Sequence, residues 1–136
     1  MYRKMLGITT ISALLLALVL SGCGAVQGLQ EATQSGTHFV NAIKDGQFEA
    51  AYAMFHPELQ HEVGAADDLQ KMIEDNQARP KEWGFTSTNV KVDENQNQIA
   101  TLEGSVTYED GRKGAVTLEL LKVGDDWKVT RFNFSW

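Results

Sequence analysis

From Leu29 onward the chain carries two hydrophobic patterns, one after the other. Leu29, Ala32, Phe39, Val40 and Ile43 recur at helical spacing, and Asp45-Gly46 supplies a stop signal, so a first helix is predicted from Leu29 to Lys44. Its start is blurred by Ser35-Gly36. A second amphipathic segment places Phe48, Ala51, Tyr52, Phe55 and Leu59 on one face, with Pro57 interrupting or bending it near its end. A third begins at Asp67, read as the capping residue with Gln70 three positions on, and buries Leu69, Met72 and Ile73. Three short helices are therefore expected first.

After Pro80 the period becomes two. Trp83 to Val92 reads as a strand, Glu94 to Asn97 as a turn, and Ile99 to Tyr108 as a second strand. In that second strand Ala100, Leu102, Val106 and Tyr108 share one face, and Thr101, Glu103, Ser105 and Thr107 the other. Glu109-Asp110-Gly111 is a tight hairpin signal. A third strand spans Ala115 to Val123 with Val116, Leu118 and Leu120 facing one way; after Gly124-Asp125-Asp126 a fourth runs from Trp127 to Trp136. In the fourth strand the apolar parity shifts from Trp127 and Val129 to Phe132, Phe134 and Trp136, which predicts a bulge near Thr130 and Arg131. Gly104 is a similar bending point. The sheet should be antiparallel and strongly curved.

A different pattern precedes this region. Arg3 and Lys4 form a basic start, Leu6 to Leu20 an apolar run of 15 residues, and Leu20-Ser21-Gly22-Cys23 places the single cysteine directly behind it. The run is short for a membrane span, which needs about 20 apolar residues, and has the anatomy of a signal peptide. This stretch resembles the lipobox of bacterial lipoproteins. The resemblance implies a diacylglyceryl group on the Cys23 thiol, removal of residues 1–22, and a tether from Cys23 to Gly28. It also implies residence in the bacterial cell envelope. Gly24, not Asp, follows the cysteine, so a two-membrane bacterium would send the protein to its outer membrane; otherwise it would sit on the outer face of the plasma membrane. An S-alkylated Cys23 leaves no thiol for a disulfide, a nucleophile or a metal. The alternatives are an ordinary secretory signal and an uncleaved short anchor.

Charge narrows the function classes. The whole chain has 12 basic and 18 acidic residues; residues 1–22 contain Arg3, Lys4 and no acid, so 10 basic residues remain against 18 acidic, a net charge of −8. Such a surface does not seek phosphates, which argues against nucleic-acid binding and against electrostatic attraction to anionic lipid. Residues 29–136 fit one domain with a modest core.

The runs FVNAIKDGQFEAAYAMFHPEL and GSVTYEDGRKGAVTLELLKVGDDWKVTRFNFSW, in this order, resemble a small nuclear-transport-factor-2-like domain, the cone-shaped roll of the cystatin-like class. The implied fold is α+β, with N-terminal helices packed on a curved four-stranded antiparallel sheet. Cones of this kind often hold a pocket, and the ligand-binding candidates are Tyr52 and His56, four apart on a helix, with Trp83 and Tyr108 opposite. An isomerase-like or dehydratase-like enzyme would need a base and a hydrogen-bond donor there. The expected inward face is almost wholly apolar, and the acidic residues gather at turn tips: Asp93-Glu94, Glu109-Asp110 and Asp125-Asp126. His38, His56 and His61 lack metal-helix spacing, so neither a catalytic set, a metal site nor a cofactor is expected. Trp127, Phe132, Phe134 and Trp136 are read as core, the alternative being a docking or dimer surface. The leading expectation is a non-enzymatic, lipid-tethered binding or protein-interaction module, with an envelope protein or a second copy as partner. The alternative is a small-ligand carrier or pocket enzyme of the same fold.

Overall fold

The computed structural model describes residues 27–136. Cys23 and the segment before it, with the signal peptide and most of the tether, lie outside the described residues. Four helices come first: α1 (27–44), α2 (Phe48–Ala53), α3 (Pro57–Val63) and α4 (Ala66–Asp75). Four strands follow, β1 (Pro80–Val92), β2 (Gln98–Tyr108), β3 (Lys113–Val123) and β4 (Asp126–Ser135), paired in sequence order as an antiparallel meander. The helices pack on one face of the curved sheet, as expected. Gln27 and Gly28, expected in the tether, are already helical.

Buried apolar side chains at 32, 39, 40 and 43 turn α1 onto the sheet, where they meet Ala100, Leu102, Val116, Leu118 and Leu120. The helix runs unbroken through Ser35-Gly36. A Cβ at Gly36 would land on Leu102 Cδ1, so the bare backbone lets α1 settle close to β2. The rings of Phe39, Phe55 and Phe132 close the core, with centroids 5.4–5.8 Å apart.

The expected second helix is two helices. Pro57 cannot continue α2 and instead takes the first position of α3, where its missing N–H is no loss. Between them Phe55 leaves the helical path and bridges Val129 of β4 in parallel. The start of α4 also differs from expectation. Its capping position is Ala65, with no side-chain cap; Asp67 and Asp68 lie inside the first turn, where their charge faces the positive end of the helix. Of the expected stripe Leu69 and Ile73 are buried, but Met72 is 42% exposed. β1 begins at Pro80, three residues before the expected start, because its Pro80–Glu82 stretch pairs with the end of β2.

The sheet carries three register slips, the first at the start of β1 between Pro80 and Glu82. β1 slips again between Phe85 and Ser87, opposite Gly104, and a Cβ at Gly104 would collide with the Gly84 carbonyl oxygen. β4 slips between the partners of Glu119 and Leu120, leaving Thr130 as the extra residue. Its hydroxyl donates to the Glu119 carbonyl or carboxylate, 3.1 and 3.3 Å away. The parity break therefore falls where the sequence places it.

Gly104→Ala should destabilise the domain by about 2–3 kcal/mol, because two backbones must separate to admit a methyl. Gly84→Ala, whose Cβ would meet nothing within 4 Å, is the control. Urea unfolding midpoints of the two variants check this.

Candidate functional site

Tyr52 and His56 sit at the elbow between α2 and α3. The Tyr52 hydroxyl lies between the carbonyls of Gln60 and Gly64, at 3.1 and 2.9 Å, and can donate to either. Gln60 returns a bond from its side-chain amide to the Tyr52 carbonyl at 3.1 Å. His56 caps α3, its Nδ1 accepting from the Glu58 N–H at 3.3 Å, while its own backbone N–H donates to Val129 O at 2.8 Å. Both side chains thus fasten the break that Pro57 imposes.

Trp83 and Tyr108 lie apart from that elbow. The Trp83 indole N–H donates to Asn41 Oδ1 at 3.0 Å, joining β1 to α1, and its ring stands edge-on to Phe85. Tyr108 is fully buried, and its hydroxyl donates to the Ser135 carbonyl at 2.8 Å. Burial pushes its pKa up against the opposing pull of Arg112, so it remains a neutral donor. The four candidates therefore do not converge on one pocket: Tyr52 and His56 share the elbow, Trp83 and Tyr108 lie elsewhere, and each makes a hydrogen bond to the scaffold. Among the described residues no cluster of three or more His, Cys, Asp or Glu is arranged to hold a metal ion.

The residues that do converge are others. α3, α4 and the second half of β4 enclose a groove of about 420 Å³. Leu59 and Val63 come from α3, Met72 and Ile73 from α4, and Phe132, Phe134 and Trp136 from β4 and the residue after it. Glu62, Asn76 and Asn133 supply the polar lining, and Glu62 is its only ionisable side chain. Two of the largest exposed apolar side chains, Met72 and Trp136 (57% exposed), both belong to it. The expected aromatic core at β4 is therefore split: Trp127 is buried, Phe132 and Phe134 are half-buried against the core, and Trp136 lies open at the groove. The indole N–H of Trp127 has no hydrogen-bond partner among the described residues.

Arg112 fixes the far end of this groove. Its Nη2 donates to the carbonyls of Asn76 and Gln77 at 3.1 and 2.9 Å, its Nε pairs with Asp110, and its guanidinium lies 4.4 Å from the centre of the Trp136 ring. One side chain thus ties the end of α4, the β2–β3 turn and Trp136 together. The Arg112 backbone N–H, and then its guanidinium, hold the Asp110 carboxyl below the usual aspartate range. Sequence reasoning missed Arg112, whose carbonyl partners lie 35 and 36 positions away. The aromatic run from Phe132 to Trp136 it reads as core with a docking surface as the alternative, and the structure gives it a share of each.

This architecture is a small α+β domain, helices packed on one face of a curved four-stranded antiparallel sheet. Among solved structures the chain is similar to Aln2 from a Streptomyces species, at 13% identity and a TM-score of 0.52, over 77% of this chain and 87% of that one. It is also similar to a protein from Catenulispora acidiphila solved in complex with S-DNPA, at 17% identity and a TM-score of 0.53, over 82% and 92% of the two chains. At these identities the likeness concerns the fold alone. No protein-family model matches the chain, and no curated protein matches it.

Tyr108→Phe should lose about 1–2 kcal/mol of stability, since a buried hydrogen bond to Ser135 disappears; the measurement is a denaturant titration. Asp110 has a depressed folded pKa, so its stabilising contribution is complete above the ordinary aspartate range and is lost as pH falls through the folded value. Wild type should therefore exceed Asp110→Asn in unfolding midpoint at neutral pH, and the gap should close on acidification.

Proposed function

We infer that this chain is a lipid-tethered binding module of the bacterial cell envelope, anchored through Cys23 and binding its partner in the groove between α3, α4 and β4. The observation that carries the binding half is the groove itself, whose floor is core and whose rim leaves the apolar side chains of Met72 and Trp136 exposed. That Tyr52, His56, Trp83 and Tyr108 all engage the scaffold favours binding over acid–base turnover. The anchoring half rests on the lipobox-like sequence. Two acyl chains bury dozens of methylenes at about 0.8 kcal/mol each and hold a protein on a membrane. No helix among the described residues is long and apolar enough to cross a membrane.

A small-ligand carrier is the second reading. The fold-related Catenulispora acidiphila protein was solved in complex with S-DNPA, so a cone of this type can accompany a small molecule. Native mass spectrometry of the purified chain decides between the two readings, because a carrier should retain a non-protein mass and an interaction module should not.

Intact mass and fractionation of wild type beside Cys23→Ser test the anchor. A diacyl or triacyl mass on Cys23 is expected, with membrane association lost in the variant. An unmodified wild-type chain that fractionates like the variant would sink the proposal.

A further inference from the structure

We propose that the groove accepts an extended peptide segment of a partner protein, which pairs with the free edge of β4 as a fifth strand. This deepens the reading of the groove as the binding surface and specifies what enters it. Phe132, Asn133 and Phe134 are consecutive, yet all three line the groove. Side chains of a strand alternate between faces. A groove lying on one face would meet every second residue, so this one looks onto the strand's edge.

The backbone at that edge is unpaired. Early in β4 the outer edge is occupied: Val129 N–H donates to Met54 O and Val129 O accepts from His56 N–H, both at 2.8 Å. The extra residue at Thr130 then shifts the alternation, so that Phe132 and Phe134, not Arg131 and Asn133, turn their peptide groups outward. Ser135 agrees with this parity, since its carbonyl points inward and accepts from Tyr108. Beyond the sheet's own ladder, no backbone hydrogen bond reaches Phe132 or Phe134 among the described residues. Exposed edge groups beside apolar pockets are the elements of strand addition.

The occupant's chemistry follows from the walls. Met72, exposed, and Val63, half-buried, stand beside the edge over the buried Leu59 and Ile73 and call for apolar side chains at alternate positions of the incoming strand. Glu62 is the sole ionisable side chain of the lining, the Nε and Nη2 of Arg112 are engaged, and the domain is acidic overall. A lysine or arginine in the segment is therefore favoured over an acidic residue. The chain's own tether does not reach the groove: α1 holds the two ends about 27 Å apart at 1.5 Å per residue.

The test uses the full chain in neutral phosphatidylcholine vesicles and a short labelled peptide of alternating leucine and lysine, with empty vesicles as blank. Saturable binding is expected, with slowed amide exchange at Phe132 and Phe134. N-methylation of alternate peptide nitrogens should abolish it. Glu62→Lys, a surface change, should weaken binding at least about tenfold and favour a leucine–glutamate peptide instead. Absence of saturable binding overturns the proposal. So does binding that survives N-methylation and leaves both amides exchanging freely, although that result keeps the groove as a binding surface. The anchor is decided separately by the mass of Cys23, so its failure would not be mistaken for failure here.

Discussion

One additional residue in one strand organises most of this molecule. Without the bulge at Thr130, β4 would keep a single parity, and a strand that buries Trp127 and Val129 would go on to bury Arg131 and Asn133. The bulge exchanges those for Phe132 and Phe134, and Phe132 completes the aromatic cluster with Phe39 and Phe55. It also reassigns the backbone. Before Thr130 the outer edge of β4 is tied to Met54 and His56; after it, the edge faces the groove. Core completion and groove formation are thus two results of one irregularity, held by the bond from Thr130 to Glu119.

The helices are arranged around the same edge. Phe55 must leave the helical path to bridge Val129, and Pro57 makes that departure compulsory by refusing to continue α2. Tyr52 and His56 then secure the elbow on either side of the break. The polar atoms that first suggest pocket chemistry are consumed by this local problem, because a broken helix exposes carbonyls and N–H groups that need partners.

The contrast between what was legible and what was not has a physical basis. Strand parity, the parity break at Thr130 and the turn signals are local, because a residue's face follows from its neighbours. Gly104 also stands out, although the collision it avoids lies in β1, at Gly84. The width of a helical stripe does not reveal which edge of it a neighbour covers, so Met72 looks as buried as Leu69 and Ile73 until α4 is placed beside β4. Asp67 matches a capping pattern, yet α4 caps two residues earlier, at Ala65. The partners of Tyr52, Trp83 and Tyr108 lie between 8 and 42 positions away in sequence. No periodicity carries information of that range.

The direction of α1 links the two halves of the functional reading. Its beginning lies beside Gln98 and pairs Glu31 with Lys122, near the β1–β2 and β3–β4 turns. Its end meets Arg79, which in turn faces Glu109 of the β2–β3 turn, the end of the domain where Arg112 and Trp136 bound the groove. A lipid on Cys23 would therefore hold the first end at the membrane and leave the groove toward the second, its Trp136 end up to about 27 Å farther out at 1.5 Å per helical residue. Asp93, Glu94, Asp125 and Asp126 lie at the turns of the near end, and anionic headgroups would repel them rather than draw the domain down. A groove held away from the bilayer is poorly placed to take lipid from its own membrane and well placed to meet a chain segment arriving from outside. The hydrogen-bond parity of β4 carries the choice of occupant, and the proposed anchor, through the length of α1, would be consistent with it.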